Sequence, residues 1–130
     1  MNNDYDLGMK WNDRLLIAFE KAEKARQIKK TDLAKACDAN PASVTDWFNG
    51  KTKNIEARYL LPACKFLDVS PFWVMLGDEV DYDYSSVPDN LQIPAPDLLR
   101  IISEYAQTSD EGRKRILAVV EKTKKSFPRE

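Results

Sequence analysis

Few side chains in this sequence do chemistry at neutral pH. Histidine is absent, and Cys37 and Cys64 are the only thiols. Histidine is the commonest general base and the commonest protein metal ligand. Without it, neither cysteine gains a histidine base, and two isolated thiols make neither a zinc site nor a disulfide framework. Both cysteines read as small buried hydrophobes, kept reduced. No catalytic residue, metal or small-molecule cofactor is expected. What remains is charge and its arrangement.

The formal net charge of −1 conceals a segregated pattern. Residues 9–77 hold twelve basic against eight acidic side chains, and residues 78–111 hold nine acids against Arg100 alone. Residues 112–130 return to seven bases and two acids. Such segregation points either to separate surfaces with separate partners or to ordinary variation among exposed elements, and charge alone leaves both open. At 130 residues, 43% hydrophobic and 32% charged, the chain suits one foldable domain, with or without an appendage. It contains no run of about 18 apolar residues to span a bilayer. The opening Met-Asn-Asn-Asp-Tyr-Asp lacks the apolar core of a signal peptide, so a cytoplasmic protein is expected.

The elements that position these charges read as helix after helix. Asn12 is a candidate cap for a first helix from Asp13 to about Ala25, with Leu15, Leu16, Phe19, Ala22 and Ala25 at helical spacing. A short second helix covers Lys30 to Cys37. Asn40-Pro41 then pairs a favoured cap with a proline suited to the first helical turn, opening a third helix that stops at Asn49-Gly50. Pro62 would disrupt a helix interior, so the fourth helix is expected to begin near Arg58–Leu60. Ser70-Pro71 opens a fifth, closed by Gly77. No segment alternates with the period of a strand. The fold class is all-α: a five-helix domain over residues 1–78, an acidic linker over 79–96, and two amphipathic helices over 97–127. The last two cover Asp97–Gln107 and Ser109–Lys125, with Ser109 as a cap.

Between Lys30 and Asn49, apolar residues fall at Leu33, Cys37, Ala39, Val44 and Trp47, with the small Ala34 between the first two. Two helices crossing steeply over a tight turn need this pattern, because Ala34 lets the second helix approach. The outer face of the third helix is left with short side chains. Leu33-Ala34-Lys35-Ala36-Cys37 through Val44-Thr45-Asp46-Trp47-Phe48-Asn49-Gly50 resembles the helix-turn-helix of lambda repressor and Cro-like (Xre-type) regulators, phage and prophage repressors among them. Ser70 through Glu79 resembles the closing helix and Gly-Asp/Glu exit of such repressors. The resemblance spans about residues 12–79.

That resemblance implies a transcriptional repressor whose third helix enters the major groove of double-stranded DNA. Carried over by position, the base-reading residues are Pro41, Ala42, Ser43, Thr45 and Asp46. Lys29, Lys30, Asn40, Asn49, Lys51, Thr52 and Lys53 lie where this motif meets phosphates. Backbone amides at the Asn40–Ser43 helix start are further anion donors. Two positions depart from the family: Pro41 and Ala42 stand where hydrogen-bonding side chains are frequent, and Asp38 replaces the usual turn glycine. Ala42 can still pack on a thymine methyl, while Asp46 either accepts from a cytosine amino group or is a surface charge. The alternative is an antitoxin-like adaptor whose helix-turn-helix mainly binds protein.

About fifty residues follow Gly77, too few for the self-cleaving peptidase joined to some members of the family. The two tail helices suit a dimerisation hairpin with Leu98, Ile102, Tyr105, Ile116, Val119 and Val120 as its seam. Alternatively, the hairpin folds back on the first domain. The expected partners are therefore a palindromic operator and a second copy of the chain, in the nucleoid of a bacterial host. No membrane partner is expected.

Overall fold

A computed structural model describes residues 8–78 and 92–128. Seven helices follow in order: α1 (Trp11–Arg26), α2 (Lys30–Ala36), α3 (Pro41–Phe48), α4 (Ala57–Leu67), α5 (Pro71–Leu76), α6 (Ala95–Ala106) and α7 (Asp110–Ser126). Among the described residues there is no strand, only an isolated bridge between Glu56 and Pro94. No described helix is long and apolar enough to cross a membrane.

In α1, Leu15, Ala18, Phe19 and Ala22 recur at helical spacing and are all buried. The helix begins at Trp11, and Asn12 is its second residue, not its cap. The Asp13 carboxylate accepts from the Lys10 N–H (3.1 Å), which supplies the cap from within the first turn. Asn12 is thereby free to turn inward, where it is 6% exposed. The start of α2 repeats the device, with the Asp32 carboxylate accepting from the Lys29 N–H at 2.8 Å. The starts expected at α3, α5 and α7 are present. Asn40 Oδ1 accepts from the Ser43 N–H, Ser70 Oγ from the Trp73 N–H and Ser109 Oγ from the Gly112 N–H.

The fourth helix differs from expectation. It starts at Ala57, so Pro62 is its sixth residue and lies beyond the first turn. Pro62 removes the N–H that would have reached the Arg58 carbonyl. Burial of Leu60, Ala63, Cys64 and Leu67 around it carries the helix through. At the end of α5, Gly77 takes φ +78°, and a Cβ there would come within 3.0 Å of Arg14 Nη2. Backbone conformation and close approach both require glycine. The buried Arg14 guanidinium donates to the Val74 and Met9 carbonyls at 3.2 Å each.

The tail requires a larger correction. Residues 79–91 of the expected linker lie outside the described residues, but residues 92–96 are not spacer. The Ala57 N–H donates to the Ile93 carbonyl (2.8 Å) and the Ala95 N–H to the Ile55 carbonyl (2.7 Å). α6 begins at Ala95, two residues earlier than expected, and packs against α4 and α5. Ala95 and Leu99 are fully buried in the same core as Leu15, Leu33, Leu60 and Phe72. The physical cause is plain: Leu99 and Ile102 need cover, and the α4–α5 surface supplies it. The five-helix domain is thus completed by a sixth helix.

The expected seam is divided accordingly. Ile102 packs on the domain core and Leu98 is half-buried, while the half-buried Tyr105 stacks under Arg113 at 5.3 Å. Ile116 is half-buried, and Val119 and Val120 are exposed on α7. The six residues do not form one continuous face within a chain.

Candidate nucleic-acid interface

The helix-turn-helix is built from the inside. Leu33, Ala34 and Cys37 of the α2 segment meet Val44 and Trp47 of α3, and none of the five is more than 3% exposed. Ala34 has room only for a methyl, which lets α3 approach. Between the helices Asp38 adopts φ +54°, and the Ala39 N–H returns to the Ala34 carbonyl at 2.9 Å. Aspartate tolerates this left-handed position better than most residues.

With Val44 and Trp47 turned inward, α3 presents Pro41, Ala42 and Thr45 to solvent, and Ser43 and Asp46 are half-buried. The Thr45 hydroxyl donates to the Pro41 carbonyl (3.2 Å), so towards an outside ligand it can act as an acceptor. Asn40 spends its side-chain carbonyl on the Ser43 N–H (2.8 Å), leaving its amide N–H groups as donors. Ser43 is therefore committed and Pro41 has no N–H. Of the backbone donors expected at this helix start, Ala42 is the one left among the first three residues of α3.

Lys29 and Lys30 are exposed at the start of α2, and Lys51 and Lys53 in the loop after α3. The fold brings Lys30 and that loop to the same end of α3. Lys30 Nζ lies 5.9 Å from the centre of the Phe48 ring, while the Lys51 and Thr52 N–H groups return to the Asp46 carbonyl at 3.0 and 3.3 Å. Asn49 is exposed, and its Oδ1 accepts from the Lys51 N–H at 3.1 Å. Thr52 is half-buried, and its carbonyl faces inward. Lys35, which the sequence reading did not select, is also exposed on α2.

Two residues that hold this surface in place were missed. Asn12 Nδ2 donates to the Trp47 carbonyl (2.7 Å) and the Thr52 carbonyl (3.2 Å), clamping the end of α3 and its basic loop onto α1. Trp11 Nε1 donates to the Lys53 carbonyl at 3.0 Å. A signal for Asn12 existed: it shares the stripe of Leu15, Phe19 and Ala22, and an amide on an apolar stripe must find partners if buried. Cys37 and Cys64 are both buried and free. Burial pushes the Cys37 thiol up to about 12, and burial followed by the neighbouring Cys37 pushes the Cys64 thiol higher still.

Residues 21–71 match the family described as the Cro/C1-type HTH DNA-binding domain. The match runs from inside α1 to the proline that opens α5. Two solved structures are similar. The P22 c2 repressor protein, crystallised in complex with synthetic operator 9T in the presence of Tl+, shares 21% identity. That likeness covers 54% of this chain and 98% of the repressor, with a TM-score of 0.45. A transcriptional regulator from Listeria innocua shares 15% identity over 88% of this chain and 96% of its own, with a TM-score of 0.40. No curated protein matches the chain. The resemblance first carried by Leu33–Gly50 is met by this family match, which takes in the whole of α2, the turn and α3.

Proposed function

We propose that this protein is a sequence-specific transcriptional repressor of phage or prophage type, which binds a palindromic operator as a homodimer. The supporting observation is the exposed face of α3. Its short side chains leave the helix slim enough to lie deep in a major groove, with Lys30 and Lys51 at the same end. In this reading Pro41, Ala42, Ser43, Thr45 and Asp46 face base edges. Lys29, Lys30, Lys51 and Lys53, with Asn40, Asn49 and Thr52, face phosphates. Pro41 and Ala42 offer no side-chain hydrogen bond, so recognition leans on thymine-methyl packing, DNA shape and phosphate contacts. Phosphate contacts fix position, and the two-fold repetition of half-sites supplies the discrimination that one sparse reading helix lacks.

Fluorescence anisotropy tests this, using DNA from upstream of the protein's own gene against scrambled DNA over a range of salt. Nanomolar binding to the upstream DNA, well above the scrambled control, is expected. Each phosphate neutralised contributes about 0.9 to the salt slope, so the pair K30E/K51E lowers the slope by about two while leaving circular dichroism unchanged. Equal, weak binding to both DNAs would refute the proposal in favour of an antitoxin-like adaptor. The absence of hydrogen-bonding side chains at Pro41 and Ala42 is what keeps that second reading in play.

A further inference from the structure

Glu56 stands at the cap position of α4, yet its side chain makes no capping bond to the helix. An acid there ordinarily accepts from the first backbone N–H groups. Instead, Glu56 Oε1 accepts from Arg58, at 3.0 Å from Nη2 and 3.3 Å from Nε. The same guanidinium lies over the Tyr59 ring, 4.7 Å from its centre. Tyr59 in turn has its ring 6.0 Å from that of Trp47, the penultimate residue of α3. Arg58 thus follows directly on the basic loop and is held at the same end of α3 as Lys30 and Lys51. The two paired side chains are 35% and 36% exposed, and an ion pair that open to water adds little to stability. What the pair does fix is the direction of the guanidinium.

Arginine carries its five N–H donors in a planar fork. Glu56 occupies the side edge, made by Nε and one N–H of Nη2. The end-on edge, made by Nη1 and the second N–H of Nη2, is left for an acceptor from outside. That edge matches two oxygens of a phosphate, a fit that a lysine cannot reproduce. We propose that Arg58 is a further DNA-contacting residue, whose end-on edge grips one backbone phosphate beside the end of α3 while Glu56 holds the other edge. This rests on the reading of the protein as a DNA-binding repressor and deepens it. Stacking on Tyr59 and bonding to Glu56 order a long side chain before DNA arrives, so less freedom is lost on binding. Lys29, Lys30, Lys51 and Lys53 are point charges on flexible stems; Arg58 supplies the one directional grip on the backbone at this end of the reading helix.

Anisotropy titrations of the full chain against the upstream DNA, over a range of salt, test the contact with Arg58→Gln, Arg58→Lys and the control Lys21→Gln. Lys21 is exposed on α1 and reports the effect of losing one charge elsewhere on the domain. Arg58→Gln is expected to weaken binding about tenfold and to lower the salt slope by about 0.9, with near-ultraviolet circular dichroism unchanged. Arg58→Lys keeps the charge and loses the fork, so it is expected to keep most of the slope and still bind more weakly than the wild type. An Arg58→Gln slope no lower than that of Lys21→Gln would overturn the contact. An Arg58→Lys variant that binds as tightly as the wild type would overturn the forked grip. A wild type without salt-dependent binding would overturn the DNA-binding reading itself, and is told apart from the other two because no variant is needed to see it.

Discussion

Asn12→Ala isolates the clamp on the basic loop. Trp47 is the penultimate residue of α3, so its carbonyl is one of the last four in the helix, which have no partner within it. Asn12 Nδ2 reaches it at 2.7 Å in a buried setting, and reaches the Thr52 carbonyl at 3.2 Å nearer the surface. Truncation strands the Trp47 carbonyl without water. That costs about 1–3 kcal/mol, while Thr52 can turn to solvent at little cost. A net loss of about 2 kcal/mol is expected. With a urea dependence of about 1.5 kcal/mol per molar, the midpoint falls by about 1.3 M. Asn12→Asp is the sharper variant, because its carboxylate turns an acceptor towards two carbonyls. It is expected to lose more than Asn12→Ala at pH 7 and to recover part of the loss in acid, where the protonated carboxyl can donate. Urea denaturation followed by tryptophan fluorescence measures both. A loss below about 0.5 kcal/mol for Asn12→Ala, or an aspartate variant as stable as the alanine one, would refute the account of Asn12 as the partner of a stranded carbonyl.

Three further outcomes follow from the same structure. Asp38→Gly relieves a left-handed turn residue and should stabilise the domain by up to about 1 kcal/mol, whereas Asp38→Val should destabilise it by more than that; denaturant midpoints decide. Leu99→Ala, at a fully buried position of α6, should cost about 2–5 kcal/mol. Because Trp11, Trp47 and Trp73 all lie in α1–α5, their fluorescence transition should shift with it, and an unmoved transition would place α6 outside the core. Cys37 and Cys64 should resist alkylation at pH 8 in the native protein and react fully in urea. Native burial holds the Cys37 thiol protonated up to about 12, whereas an unfolded thiol ionises near 9.0, so stability should fall as pH rises above about 9.

Which features were legible in the sequence follows from how local their causes are. Asn40-Pro41, Ser70-Pro71 and Ser109 announced their helices because a cap acts within three residues of itself. Asn12 has the same cap preference, but its role was decided by a carbonyl thirty-five residues away, which no local pattern contains. Pro62 misplaced the start of α4, because the burial that holds the helix through it is tertiary. Leu98, Leu99 and Ile102 announced an apolar stripe on α6 and were silent about what would cover it. At the candidate interface, the exposed face of α3 could be read from the positions of Val44 and Trp47. The commitment of the Ser43 N–H to the Asn40 side chain depends on local geometry, and the anchoring of the loop by Trp11 and Asn12 on contacts some forty residues apart, neither of which residue type alone decides.

The short pairing of Ile55 and Ala57 with Ile93 and Ala95 determines how small a working fragment can be. Ile55 follows directly on the Lys51–Asn54 loop, and its carbonyl is held by the Ala95 N–H. The basic loop is thus restrained at one end by residues some forty positions later in the chain and at the other by Asn12. A fragment ending at Asp78 would contain every helix of the family match but would release Ile55 and bare the core beneath Leu99. Its loop would then lose conformational freedom at the moment of binding instead of during folding, which weakens affinity without removing a single contact. The smallest autonomous unit that presents this basic surface accordingly ends after α6, near Ala106.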